Sequence, residues 1–383
     1  MLCIAFLAVA ASAAALQPLS PESLRATVEK LASWHTRNTS TPELEQAAGW
    51  VAGQFREIPG MQVELFRYRV LSGPRVPEDR EVVEVVAKLP ATLPEQGGLV
   101  VMGGHLDTIN MQADPMTGRA PGANDDGSGV AATLDTAREL ASLPRSHPTM
   151  FVAFSGEEQG LLGSEALAMH AAEEHWDIDA VLSNDMIGNS RDLLGRSDPH
   201  HVRLFSEESP RHQSRELARW IEWLDRTEGA RRFGVKLVFR ADRFGRGGDH
   251  SSFNRHGFTA VRFVDVYEEY TRQHTEKDLP EAMDFDYLSE VARLNALAMR
   301  HLANAAPQPT AVKVDRHQSH DTRLTWKGLP GERYIVYWRE TTEPTWTHWK
   351  EVGAVESAEF PKVSKDDNIF AVGAAGGIPV PAQ

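Results

Sequence analysis

The chain predicts an α/β body, with a mostly parallel mixed sheet covered by helices on both faces, followed by a small C-terminal β-sandwich. Three observations carry this reading. Runs such as "LVVMGG", "TMFVAFSG" and "DAVLSND" are continuously apolar rather than alternating, which suits strands buried on both faces. Between and after them lie segments with apolar residues at helical spacing, among them "SGVAATLDTARELASL", "SRELARWIEWLDR" and "FDYLSEVARLNALAMRHLANAA". Beyond the Pro-bearing stretch "APQPTAV" at 306–312 the pattern changes to short alternating segments separated by Gly, Pro and Asp.

Taken in order, "MLCIAFLAVAASAAALQPLS" is too short for the roughly 18 apolar residues of a membrane span and reads as a signal peptide over 1–16. A secreted or periplasmic chain is the expectation. "PESLRATVEKLASW" and "TPELEQAAGWVAGQFREI" predict two helices, each opened by Ser or Thr ahead of Pro and Glu. The strand-like runs "MQVELFRYRV", "EVVEVVAKL", "VKLVFR" and "TAVRFVDV" join the three above to complete a body over 17–306. The remainder, 307–383, holds the linker and "TRLTWKG", "RYIVYWRE", "THWKEVGAV" and "NIFAVGAAGG". This tail resembles a fibronectin type III module, with Trp326 at the usual B-strand tryptophan and Asn368 where a corner tyrosine is expected. Trp338, Trp346 and Trp349 are expected as sandwich core and surface, with a binding face as the lesser alternative.

A net charge of −14 without a Lys/Arg block argues against a nucleic-acid or anionic-membrane partner. The one cysteine, Cys3, falls in the leader. Disulfides, thiolate metal sites and a cysteine nucleophile are thereby excluded from the mature chain. Any metal must be held by His, Asp and Glu.

Those residue types arrive at the ends of the apolar runs. "LVVMGGHLDT" delivers His105 and Asp107, "PGANDDGSG" Asp125 and Asp126, and "MFVAFSGEE" Glu157 and Glu158. "AVLSNDMIG" delivers Asp185, and the Gly-rich "RGGDHSSF" carries Asp249 and His250. In open α/β sheets ligands bind beyond the carboxyl ends of the strands, so five loops bring ligand-type residues to one rim. Singly, each motif is more often a surface pair, a turn or a helix cap. Their succession without a competing thiolate suits zinc, with Mn2+ or Co2+ as possible substitutes.

In order and spacing, "GGHLDT", "PGANDDGSGV", "FSGEEQGLLGS", "ND" and "GGDHSSF" resemble the co-catalytic di-zinc aminopeptidases of the bacterial leucyl aminopeptidase type. This is metallopeptidase family twenty-eight, which shares its fold with glutamate carboxypeptidase and glutaminyl cyclase. The resemblance covers roughly 25–305. It implies two Zn2+ per chain, with His105 and Asp185 on one, Glu158 and His250 on the other, and Asp125 between them. It also implies a cis peptide at Asp125–Asp126. Asp107, two residues after His105, is expected to orient the imidazole through its carboxylate without touching the metal. Two adjacent metals can hold a hydroxide whose attack on a carbonyl needs a base. In an extended strand neighbouring side chains face opposite ways, so Glu157 and Glu158 should not both coordinate one metal. The resemblance makes Glu158 the ligand and Glu157 the general base and acid.

"HTEKD" at 274–278 resembles the family's His-Thr-x-x-Asp element, with Gln273 in place of the usual tyrosine. His274 stands either as a site border or as loop surface. His200 and His201 read as a polar loop, and Arg243 and Arg246 as partners of acidic neighbours or of a substrate carboxylate. The expected activity is an aminopeptidase acting on peptides with a free N-terminus. Carboxypeptidase and glutaminyl-cyclase activity, or a degenerate receptor-like scaffold, are the alternatives.

Overall fold

The computed structural model describes residues 19–229, 233–317 and 320–383. The signal peptide expected over 1–16 lies outside the described residues. Ser20 caps helix α1 (Pro21–Ala32) by accepting the Ser23 N–H at 3.2 Å. Thr41 precedes α2 (Pro42–Arg56) without a side-chain cap, unlike the expectation. The body continues through β1 (Gln62–Val70), β2 (Arg80–Leu89), β3 (Leu99–His105), α3 (Gly127–Ala141), β4 (Thr149–Phe154), α4 (Leu162–Glu173) and β5 (Ile178–Asn184). It ends with β6 (His201–Phe205), α5 (Ser214–Glu228), β7 (Gly234–Val238), α6 (Asp249–Arg255), β8 (Ala260–Asp265) and α7 (Phe285–Leu302).

Eight strands form one sheet in the order β1-β2-β4-β3-β5-β8-β6-β7. Its centre, β4-β3-β5-β8, is parallel. β1 and β2 join antiparallel on one side, and β6 pairs antiparallel with β8 and parallel with β7 on the other. Burial on both faces explains the unbroken apolar runs. In β3, Val100 and Met102 enter a core shared with α1, α3 and α7, whereas Leu99 and Val101 enter a second core with α4 and α6. Each such side chain contributes about 1.5–3 kcal/mol relative to exposure.

The sequence pattern missed β6. Only five residues long, it begins at His201 within the stretch read as a polar loop, where the ring accompanies Asp198 at 2.8 Å.

Beyond α7, seven strands follow: β9 (Thr310–Val314), β10 (Thr322–Lys327), β11 (Tyr334–Glu340), β12 (His348–Gly353), β13 (Ser357–Phe360), β14 (Asn368–Ala374) and β15 (Val380–Pro381). They form antiparallel sheets of order β13-β10-β9 and β12-β11-β14-β15 around Leu324, Trp326, Val336, Phe370 and Val372. Trp338 packs within this module against Phe360 and Phe370. Trp346 differs from its expected place. It is fully buried and joins the core of the body rather than that of the sandwich. The docking face is α5, where Trp223 meets Tyr337 edge-on at 5.0 Å and Arg219 and Arg226 donate to the Pro344 and Trp346 carbonyls.

Candidate metal centre

The carboxyl ends of β3, β4 and β5 lie side by side in the parallel centre of the sheet, so residues just beyond them share one rim. His105 closes β3, Glu157 and Glu158 follow β4, and Asp185 follows β5. Asp125 enters from the loop ahead of α3, joined to Asp126 by a cis peptide, as expected. His274 enters from the loop after β8. These side chains fall into groups of three whose ligand atoms lie within 4.8 Å of one another: His105, Asp125 and Asp185; Asp125, Glu158 and His274; and His105, Glu157 and Glu158. The first two groups share Asp125.

The clustering brings in a different histidine from the one expected. His274, held open as a border residue, has its Nε2 at 3.1 Å from Asp125 Oδ2 and 3.2 Å from Glu158 Oε2. His250 belongs to none of the three-residue groups among the described residues. It sits in the first turn of α6, and its Nε2 bonds the Ala241 carbonyl at 2.7 Å. The electrostatics separate the two rings. Burial works against charge on His274, but Glu158 and Asp125 outweigh it and hold the imidazole up to about 11. Burial dominates at His250 and depresses it to about 4. The sequence did mark the element, through the His-Thr-x-x-Asp likeness, but spacing alone could not tell which loop turns back over the rim.

A cation fits this arrangement. Three buried ligand atoms, His105 Nε2, Glu158 Oε1 and Asp185 Oδ1, make no hydrogen bond. Asp125, Glu158 and Asp185 converge beside Glu157 with Arg262 and His274 as their cationic partners, so like charges crowd together and a bound cation would relieve their repulsion. Imidazole and carboxylate donors without a thiolate suit zinc.

The supporting shell differs from the expected one at Asp107. The His105 Nδ1 lies 3.1 Å from the main-chain carbonyl of Asp107, and the Asp107 carboxylate is farther, at 3.8 Å. That carboxylate instead accepts the backbone N–H groups of Glu157 and Glu158, each at 3.1 Å. Nor are these two glutamates in an extended strand. β4 ends at Phe154, and the Glu157 carbonyl accepts from Gly160 and Leu161, both at 2.9 Å, in a tight turn. The turn, clamped by Asp107, gives Glu157 and Glu158 different surroundings: Glu158 joins Asp125 and His274, while Glu157 is partly buried and lines the cleft.

Further clamps take roles that the motif reading did not assign. Asp278 accepts the N–H groups of Asn124 and Asp125 at 3.0 and 2.9 Å, fixing the backbone that carries the shared carboxylate. Gln273 donates to Asp125 Oδ2 at 2.8 Å. Fully buried Arg37 donates to the carbonyls of Leu106, Pro121 and Gly122, tying the His105 and Asp125 loops together. Arg262, also fully buried, pairs with Asp185 at 2.6 Å. Above the ligands opens a cleft of about 360 Å³, walled by Arg75, Leu161, Arg243, Arg246, Gln273 and His274.

Residues 84–299, from β2 to α7, match Peptidase family M28. A "probable zinc metalloprotease" of Pyrenophora tritici-repentis is 32% identical over 94% of this chain and 93% of its own, and one from Phaeosphaeria nodorum is 33% identical over 94% and 84%. At such coverage the likeness extends into the C-terminal module. Among solved structures, the LapA aminopeptidase of Legionella pneumophila superposes with a TM-score of 0.60 at 20% identity over 76% of this chain and 73% of its own. BSAP, a zinc aminopeptidase from Bacillus subtilis, gives 0.60 at 15% over 75% and 96%, and Fimbriiglobus ruber glutaminyl cyclase 0.57 at 20% over 73% and 94%. With the matched segment spanning every residue of the converging groups, the chain belongs to peptidase family M28.

Proposed function

We propose that this chain is a zinc metalloprotease acting as an aminopeptidase, releasing N-terminal residues from peptides with a free N-terminus. The observation that carries this is the pair of ligand groups sharing Asp125, with Glu157 beside them but outside the pair. His105 and Asp185 would hold one zinc, Glu158 and His274 the other, and Asp125 would serve both. When bound, such a pair supplies Lewis-acid polarisation of the scissile carbonyl and a water acidic enough to be deprotonated near neutral pH.

The chain's own residues supply the rest. Burial, with like charge from Asp185, Glu158 and Asp249, pushes the Glu157 carboxyl well above the usual carboxylate range, against the pull of His105. A basic carboxylate oxygen at the cleft can take the proton of the attacking water and return it to the leaving amine nitrogen. Asp107 keeps that oxygen in place by holding the Glu157 and Glu158 amides. The carboxylates of the rim provide the charge that would receive a substrate α-ammonium. Secretion through the N-terminal leader is part of the same proposal.

The test is a panel of aminoacyl-anilides, free and N-acetylated, assayed with and without chelator. Chelator should abolish turnover and zinc restore it, and N-acetylation should block it. Equal turnover of free and acetylated substrates would overturn the aminopeptidase reading, and pyroglutamate formation from glutaminyl peptides would replace it with a cyclase.

A further inference from the structure

One wall of the cleft carries more positive charge than its partners neutralise. At and behind this wall, Arg203, Arg243, Arg246 and Arg262 form ion pairs, among the described residues, with two carboxylates outside the metal groups, Asp242 and Glu268. Asp242 is taken by Arg243 at 2.9 Å and Arg262 at 2.6 Å. Glu268 is taken by Arg243 and Arg203, and by the Tyr270 hydroxyl at 3.2 Å. Arg262 also reaches Asp185, whose other oxygen faces the His105 group. Even with Asp185 counted, four guanidinium groups share three carboxylates, and one of the three also faces the metal group.

Arg246 is the one left over. Its side chain is 33% exposed, it lines the cleft, and among the described residues its one ion pair is the 4.0 Å approach to the already occupied Glu268. Arg243, by contrast, is consumed by its acidic neighbours. Arg75 lines the same cleft, anchored by a 2.6 Å bond from Nη1 to the Glu158 carbonyl, and no ion pair among the described residues includes it. These two cations stand at the cleft of a chain whose net charge is −14. A guanidinium presents a planar fork of donors suited to a carboxylate, and both keep donors unspent.

We infer that Arg246, assisted by Arg75, receives a carboxylate of the substrate, so that the peptides taken carry an anionic group close to the bond being cut. The inference rests on the peptidase reading above, because it takes the occupant of this cleft to be a peptide. Two sources share this chemistry: an acidic side chain, or the C-terminal carboxylate of a dipeptide.

The experiment measures calorimetric binding to the zinc-loaded protein of two matched pairs, glutamic acid α-amide against glutamine amide, and Ala-Ala against Ala-Ala amide. Each pair differs by one carboxylate. The anionic member of at least one pair should bind about 10- to 100-fold more tightly, as expected for a charge-assisted hydrogen bond. Preference in the first pair identifies the side chain and preference in the second the C-terminus. Arg246→Ala should bring that ratio to about one, Arg75→Ala should lower it, and Arg246→Lys should restore part of it. Equal affinities within both pairs in the wild type, or an undiminished ratio in Arg246→Ala, would overturn the proposal. Since the readout is binding, loss of the peptidase reading would show separately, as absent turnover of every aminoacyl-anilide.

Discussion

At the scale of single residues, the proposed chemistry turns on two adjacent glutamates and on which of two histidines joins them. The motif "FSGEEQGLLGS" revealed that Glu157 and Glu158 sit at a strand end, and β4 does stop just before them. What separates them is the turn held by Asp107, which strand periodicity cannot express because it depends on a contact across 50 residues. The histidines show the same limit. His250 follows a Gly-rich loop as a ligand might, yet among the described residues it joins no three-residue group and its Nε2 is held by Ala241, while His274 reaches the cluster with a left-handed φ of 57° nine residues beyond β8. Metal analysis of purified variants checks the assignment. His274→Ala should lose or weaken one of two zincs. His250→Ala should keep both and lose about 1–3 kcal/mol of stability with its buried hydrogen bond. Glu157→Gln should keep both and lose nearly all turnover. A zinc deficit in His250→Ala with full content in His274→Ala would reverse the ligand assignment.

At the scale of elements, the site depends on how closely α3 approaches β3 and β5. Asp126 caps α3 by accepting the Gly129 N–H at 2.8 Å through Oδ1. The same carboxylate accepts His105 N at 3.0 Å and Met186 N at 3.2 Å, so one side chain links a helix start to the ends of two strands. "PGANDDGSG" was legible as a turn and helix cap, and its glycines show why the approach is possible. A Cβ at Gly129 would lie 2.3 Å from Asp126 Oδ2 and 2.7 Å from the Asn184 carbonyl, and one at Gly104 would lie 2.6 Å from Asp126 Oδ2. The Asn184 carbonyl is backbone and has little room to yield. Gly129→Ala should therefore cost about 1–3 kcal/mol in denaturant unfolding and weaken metal binding through displacement of His105 and Asp185. Wild-type stability and zinc affinity in this variant would show that the approach is not needed. The parallel centre of the sheet was equally legible, because strands buried on both faces leave an apolar run. β6 was not, since five residues paired at the sheet's antiparallel flank carry too little pattern.

At the scale of the whole molecule, two of the fastenings between tail and body carry the argument. One is the aromatic seat of Trp346 and Tyr337 against α5, which the sequence could not distinguish from ordinary sandwich core because both are simply buried aromatics. The other is His147, between α3 and β4. Its Nε2 meets the Ala305 carbonyl at 2.7 Å, where α7 runs into the linker, and its Nδ1 meets Asp179 Oδ2 at 2.9 Å. A neutral imidazole can donate through only one nitrogen, whereas the imidazolium donates to both. Burial opposes that charge, but Asp179 and the Ala305 carbonyl outweigh it, so the folded state holds His147 above its ordinary value of 6.5. A group whose pKa is raised by folding contributes stability in full below its unfolded value, and loses it as pH rises through the folded value. The stabilisation from this contact should thus be complete below about pH 6.5 and fade on the alkaline side. Thermal unfolding of the wild type and His147→Gln across this range isolates the term, because every other titrating group is common to both. The gap in unfolding midpoint should be widest in acid and narrow as pH rises. A gap independent of pH, or one that widens in alkali, would mean that His147 holds the linker as a neutral ring.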